Sequence, residues 1–390
     1  MNPNQCSFCG RNKNEVSVLV SGQNGFICNY CIEQAHTIVK ETDEQENKNH
    51  SSVKTSAQLK KPREIKEFLD EYVIGQDQAK KQLSIAVYNH YKRLAHNADE
   101  NKSVEIEKSN IIMVGETGTG KTLLAKTIAR QLEVPFCIVD ATVLTEAGYV
   151  GEDVESILSR LLMGSDYDVE KAERGIVFID EIDKIARKSD NPSLTRDVSG
   201  EGVQQGLLKL LEGSIVNVPP QGGRKHPDQK YIQVNTQNIL FIAGGAFDGI
   251  KEIIERRMNK QAIGFSSEKA NKVEDDSYIL DKLDATDLRN FGLIPELLGR
   301  FPIVTHLDKL DEATMLRILS EPKNSIINQF IELFRLDGVE LSFTEGALQK
   351  IVKETMEKGL GARGLRGTTE KVLEKYMYDI DQLGGSLVID

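Results

Sequence analysis

Long apolar runs are missing from this chain. Nowhere do about 18 consecutive apolar residues occur, the length a membrane-spanning helix needs. The N-terminus also lacks an apolar secretory segment, so the expected location is the cytosol. Positive charge is in deficit: 49 Lys and Arg stand against 60 Asp and Glu, a net charge of −11. That balance argues against a chain built to coat nucleic acid. No serine sits in the nucleophile elbow of a hydrolase, so no peptide cleavage is expected of this chain itself. What remains is an ordinary soluble globular composition, 39% hydrophobic and 28% charged, with length for about two or three domains.

Cysteine is scarce too, and its placement is informative. Four of the five cysteines fall in the first 31 residues, as Cys6-x2-Cys9 and Cys28-x2-Cys31. In a cytosolic protein two such knuckles read as four thiolates around one tetrahedral Zn²⁺ rather than as two disulfides. Residues 1–40 are therefore expected to be a small treble-clef-like zinc module, unable to hold a core without its metal. A polar stretch over 41–61 reads as a flexible linker, which suits a tethered module used for docking or delivery. Cys137 lies in the apolar run Phe136–Val139 and is expected to be a small core residue.

The rest of the chain is organised around residues 111–124. Four apolar residues, Ile111–Val114, predict a buried strand. Gly115-Glu116-Thr117-Gly118-Thr119-Gly120-Lys121-Thr122 follows, and Leu123, Leu124, Ile128 and Leu132 then keep helical spacing. The middle stretch matches G-x-x-x-x-G-K-[ST], the phosphate-binding P-loop. Gly115, Gly118 and Gly120 let successive N–H groups curl around phosphate oxygens. Lys121 supplies a mobile positive charge, Thr122 a hydroxyl for Mg²⁺, and the helix its positive end. A second apolar run, Gly175–Ile179, ends in Asp180 and Glu181, as a Walker B strand does. Asp180 is expected to hold Mg²⁺ through its water shell, and Glu181 to orient and deprotonate the attacking water. Together these predict an ATPase.

Strands near 111–114, 136–139, 176–179 and 239–243 alternate with helices near 121–132, 152–163 and 200–212. That alternation predicts a parallel α/β sheet with helices on both faces, spanning 62–306. Val73 and Ile74, ahead of its first strand, could line an adenine pocket or fill a core turn. Between Asp180 and the strand near 239 the connection is longer than one turn requires, so part of it is expected to be functional loop. From 307 to 390 the pattern is largely helical (311–321, 323–335, 344–358, 363–382), a smaller domain in which any terminal strand is short.

Three further stretches are ambiguous by themselves. Gly148-Tyr149-Val150-Gly151 places an aromatic and an aliphatic residue at a turn, where exposure costs solvation unless something binds them. Arg224-Lys225-His226 is a basic tip bracketed by prolines and glycines. Ile263-Gly264-Phe265 is an apolar tripeptide in a charged segment, a docking peg or a local staple.

Taken together and in this order, the zinc module, Gly115–Thr122, Asp180-Glu181, Gly148–Gly151, Gly223–His226, Ile263–Phe265 and Gly361-Ala362-Arg363 closely resemble the ClpX family of AAA+ unfoldases, over nearly the whole chain. The resemblance implies an ATP-driven protein unfoldase and translocase that works as a homo-hexamer and hands substrates to a ClpP-type peptidase. It also implies a chaperone activity without that partner. Tyr149 and Val150 would grip the polypeptide in the pore, Arg196 would belong to a second pore loop, and Arg224, Lys225 and His226 would select tagged or adaptor-delivered substrates at the entrance. Ile263, Gly264 and Phe265 would dock on the peptidase. Arg300 would reach the γ-phosphate on a neighbouring subunit, and Arg363 the nucleotide from the small domain; a guanidinium suits both places because its charge is permanent and its contacts forked. No residue is assigned at the end of the strand near 239–243, where Ala243–Ala246 offers no polar side chain. Neither nucleic acid nor membrane is an expected partner.

Overall fold

The computed structural model describes residues 4–22, 25–37, 59–97, 104–145, 151–187, 200–219, 231–261 and 279–390. The chain divides into two compact units, Met1–Leu59 and Lys60–Asp390. In the first, the antiparallel strands Leu19–Ser21 and Phe26–Cys28 form a small ribbon followed by a helix over 29–37. Cys6 and Cys28 are buried. The expected linker falls mainly outside the described residues.

The second unit is built on five parallel strands: β1 (Ile111–Val114), β2 (Phe136–Asp140), β3 (Ile176–Asp180), β4 (Leu240–Gly245) and β5 (Ile303–His306). Their order across the sheet is β5-β1-β4-β3-β2. The three inner strands are almost wholly apolar, as strands covered on both faces must be. The edge strand β2 instead alternates, leaving Ile138 exposed. Helices α1 (Pro62–Asp70) and α2 (Asp77–Asn97) precede the sheet. Helix α3 (Lys121–Leu132) leaves β1 through the glycine turn, and α4 (Ser156–Met163) buries Ile157, Leu158, Leu161 and Leu162. Helix α5 (Glu201–Glu212) leads to an antiparallel hairpin, Ile215–Val218 with Ile232–Asn235. Helices α6 (Ile250–Gln261), α7 (Ala285–Phe291) and α8 (Pro295–Gly299) follow β4.

Past β5 come α9 (Glu312–Ser320), α10 (Ile326–Leu336), α11 (Glu345–Glu357) and α12 (Arg363–Tyr378). Phe330, Phe334, Leu341, Leu373 and Ile389 form one apolar cluster there, and Met315, Leu319, Ile351, Val352 and Leu365 another. Burying a side chain of this kind contributes roughly 1.5–3 kcal/mol. Two details refine the helical pattern read from the sequence, one in this region and one at α4. Ser386–Ile389 does form a strand, parallel to Glu340–Phe343, and it closes the cluster around Phe334. Helix α4 also starts at Ser156 rather than near 152, because Glu152–Asp153 pairs with Leu144–Thr145 instead. Among the described residues no helix is long and apolar enough to cross a membrane.

Candidate functional site

The P-loop joins β1 to α3 as its spacing demands. Gly118 and Gly120 take left-handed backbone, φ 86° and 105°, which turns the loop back over the start of the helix. Gly115 lies against Leu307, Thr119 is buried with its hydroxyl donating to the Glu116 carbonyl at 2.8 Å, and Glu116 pairs with Lys251 at 3.5 Å. These three shape the loop. Thr117, Gly118, Gly120, Lys121, Thr122 and Leu123 line the cleft itself, with Asp180, Glu181 and Arg363.

Lys121 is 8% exposed and its ammonium donates to the carbonyls of Gly115 and Glu116. Burial lowers its pKa, helped by the like charge of Arg363 and opposed by Asp180, Asp183 and Asp248. An ammonium so placed gains from any phosphate that enters. The Thr122 hydroxyl donates to Asp180 Oδ2 at 3.1 Å, so the end of the first inner strand's turn and the end of β3 meet at one point. A hydroxyl and a carboxylate in contact form a hard-oxygen donor pair that fits Mg²⁺ with its waters. Glu181 stands next to them in left-handed conformation, φ 56°, its N–H donating to Asp180 Oδ1 at 3.0 Å. A non-glycine residue held there costs about 1–3 kcal/mol and is typical of functional turns.

Five lining positions were not singled out in the sequence: Asp183, Lys184, Gly245, Ala246 and Asp248. Asp183 is buried, and its Oδ1 accepts from the Ala246 N–H at 3.1 Å, fastening the Walker B turn to the end of β4. The approach requires glycine at 245, where a Cβ would lie 2.6 Å from the same oxygen. Lys184 bridges Asp183 at 3.4 Å and Asp248 at 3.8 Å. The strand end that lacks a polar side chain of its own thus receives one from its neighbour. Only the i+3 spacing of Asp183 from Asp180 in a tight turn could have pointed to it.

Arg363 opens α12 and reaches the cleft from the terminal helical region. Arg300 does not line it. It follows α8 and pairs with Glu212 at 2.7 Å, both side chains about half exposed. Val73 and Ile74 are buried in the loop between α1 and α2 and are not among the residues lining the cleft. Tyr149, Val150, Arg196, Arg224, Lys225, His226, Ile263, Gly264 and Phe265 lie outside the described residues.

In the first unit, the sulfurs of Cys6, Cys9, Cys28 and Cys31 all lie within 4.8 Å of one another. Cys6–Cys31 and Cys9–Cys28 are 3.9 and 3.6 Å apart. Four thiolates at about 2.3 Å from a tetrahedral Zn²⁺ stand about 3.8 Å apart, so the cluster fits that ion. Burial raises the Cys6 thiol, but the N–H groups of Cys9, Phe8 and Cys28 outweigh it and leave the group lowered to about 6.

Three family models match: the AAA domain (Cdc48 subfamily) over residues 106–304, the ClpX C4-type zinc finger over 4–41, and the C-terminal, D2-small domain of ClpB protein over 310–380. Relatives match nearly end to end. The ATP-dependent Clp protease ATP-binding subunit ClpX of Bacteroides thetaiotaomicron is 60% identical over 377 residues, 96% of this chain and 91% of its own length. The chain belongs to the ClpX family. Relatives of that same name from Bacteroides fragilis and Porphyromonas gingivalis are 59% and 58% identical, over 97% and 96% of this chain and 91% and 90% of theirs. A ClpX-family chain with this cleft is an ATP-hydrolysing AAA protein, and none of the matched models is a peptidase. ATP, Mg²⁺ and Zn²⁺ are its cofactors.

Proposed function

We propose that this ClpX-family chain is an ATP-driven protein unfoldase and translocase acting as a homo-hexamer. Lys121 and the P-loop amides seat the phosphates, Thr122 and Asp180 hold Mg²⁺, and Glu181 takes the proton from the attacking water. Arg363 touches the nucleotide from the small domain (307–390), while Val73 and Ile74 border the adenine side of the large domain (62–306). Arg300 serves the neighbouring subunit's nucleotide. Its absence from its own cleft supports an action in trans, and a residue needed in trans requires a closed ring.

Hydrolysis then changes the angle between the two ATPase domains and drags Tyr149 and Val150 along the pore. Arg196 contacts substrate deeper in, and Arg224, Lys225 and His226 admit tagged or adaptor-bound proteins. Ile263, Gly264 and Phe265 dock on a ClpP-type peptidase, and without that peptidase the chain works as a chaperone in the cytoplasm. The observation that carries this reading is the single cleft shared by Thr122, Asp180, Glu181 and, from another domain, Arg363. A nucleic-acid motor sharing the P-loop is disfavoured by the net charge of −11.

The test is degradation of a stable, terminally tagged protein by this chain and ATP, with and without a ClpP-type peptidase. The substrate should be unfolded but uncut without the peptidase and degraded with it. ATPase stimulation by DNA and not by the tagged protein would overturn the reading. In Tyr149→Ala, threading should slow at least tenfold while ATP is still hydrolysed; unchanged threading would refute the pore assignment.

A further inference from the structure

The loop from Glu71 to Gln76 joins α1 to α2, and Gln76 has no part in the cleft chemistry. Its backbone is left-handed, φ 58°, and its side chain is buried at 5% exposure. Both ends of its amide meet a single residue far along the chain. Nε2 donates to the Asp308 carbonyl at 2.9 Å, and Oε1 accepts from the Asp308 N–H at 2.8 Å. Only a side chain carrying donor and acceptor side by side can do this, which means an amide or a neutral carboxyl.

Asp308 lies between β5 and α9, the segment where the sheet gives way to the terminal helices. The residue before it, Leu307, donates its N–H to the carbonyl of Val114 at 2.8 Å, at the root of the P-loop. The other end of the same loop is fastened too. The Glu71 carbonyl accepts from the Lys323 N–H at 3.0 Å, and its carboxylate pairs with the Lys323 ammonium at 2.6 Å. Lys80 donates to the Val73 carbonyl and holds the middle. A strained, buried residue with two directional bonds to one place is over-determined, and strain of that kind collects where geometry must be kept.

We infer that Gln76 is a positioning residue that pins the loop between α1 and α2 to the hinge, so that filling the cleft sets the angle between the sheet and the terminal helical domain. This rests on the motor reading proposed above. Without the pin, both apolar cores remain and phosphates still meet Lys121 and Thr122. The hinge angle then no longer follows the nucleotide, and turnover proceeds with less pulling.

The full chain, Gln76→Leu and Gln76→Glu decide it. Dyes on Lys209→Cys and Leu336→Cys, both exposed positions, report the angle by energy transfer, since Cys137 is buried and the other cysteines ligate zinc. A slowly hydrolysed ATP analogue should shift the transfer in the parent chain and at least threefold less in Gln76→Leu. With a ClpP-type peptidase and a tagged protein, ATP consumed per substrate should rise about tenfold in Gln76→Leu, while turnover without substrate stays within twofold. Gln76→Glu should behave likewise at neutral pH, where its carboxylate can accept from the Asp308 N–H but cannot donate to the Asp308 carbonyl. An undiminished shift and coupling in Gln76→Leu or in Gln76→Glu overturns the pin. If the parent chain degrades nothing but its nucleotide-driven shift is lost in Gln76→Leu, the motor reading falls and the pin stands.

Discussion

One close seam in the nucleotide site is a contact between two glycines, and it supports a quantitative prediction. Gly118 of the P-loop and Gly361 before α12 touch backbone to backbone. A Cβ on Gly361 would stand 3.0 Å from the Thr117 carbonyl oxygen and 3.4 Å from Gly118 Cα. Gly361 is also left-handed, φ 57°. Gly361→Ala therefore has two separable costs. The left-handed backbone costs about 1–2 kcal/mol wherever the small domain is folded, nucleotide bound or not. In a unit this large that lowers Tm by only about 2–4 °C. The Cβ contact is felt only while the small domain rests on the P-loop. Overpacking of this sort costs about 1–3 kcal/mol, less here because only a few tenths of an ångström must be yielded. At about 1 kcal/mol, nucleotide affinity should fall roughly fivefold, since 1.4 kcal/mol is tenfold. Titration with a fluorescent ADP analogue reads the affinity, and calorimetry the Tm. A lowered Tm with unchanged affinity would show that closure of Gly361 onto the P-loop plays no part in holding nucleotide.

Three other predictions follow from the site and from the core. Glu181→Gln should keep ATP binding and lose hydrolysis by about 10²–10⁴-fold in a steady-state phosphate-release assay; retained turnover would assign the proton elsewhere. His90 is buried against the Asn238 carbonyl, and burial, with Arg93 and Lys108 nearby, lowers its pKa to about 3. Unfolded, it titrates near 6.5, so between those values only the unfolded chain takes the proton. The stability His90 confers is present above pH 6.5 and fades as pH falls towards 3, by roughly 1.4 kcal/mol between pH 7.5 and 5.5. Thermal melts at those two pH values should show His90→Gln losing less over that interval than the parent. Finally, chelation of Zn²⁺ or Cys28→Ser should unfold the first unit, seen by loss of bound metal and amide protection, while ATP turnover by the second unit stays within about twofold.

The features legible in the sequence were those whose chemistry is set by near neighbours. The four thiols, the turn from Gly115 to Thr122 and the acidic end of β3 each keep their partners within a short stretch or a fixed spacing. Features that needed distant partners were not legible. Ser386–Ile389 is too short to announce itself and becomes a strand because Glu340–Phe343 is beside it. Ile303–His306 mixes apolar and polar residues and joins the sheet through β1. Asp183, Lys184 and Asp248 enter the cleft only once β3 and β4 are side by side. Gln76 would pass as a polar helix start until Asp308, 232 residues on, is brought to it.

The pairing of β5 with β1 sets a ratio of lever arms. His306 is in register with Val114, so the strand that ends in the phosphate-binding turn and the strand that ends in the pivot lie next to each other and finish level. Neighbouring strands are about 4.8 Å apart. Under the domain rotation proposed above, an adjustment of a fraction of an ångström where the terminal phosphate sits acts about one strand's width from the pivot. Helix α12 begins at the cleft with Arg363 and runs for 16 residues at about 1.5 Å each, so under that rotation its far end sweeps a larger arc than its start.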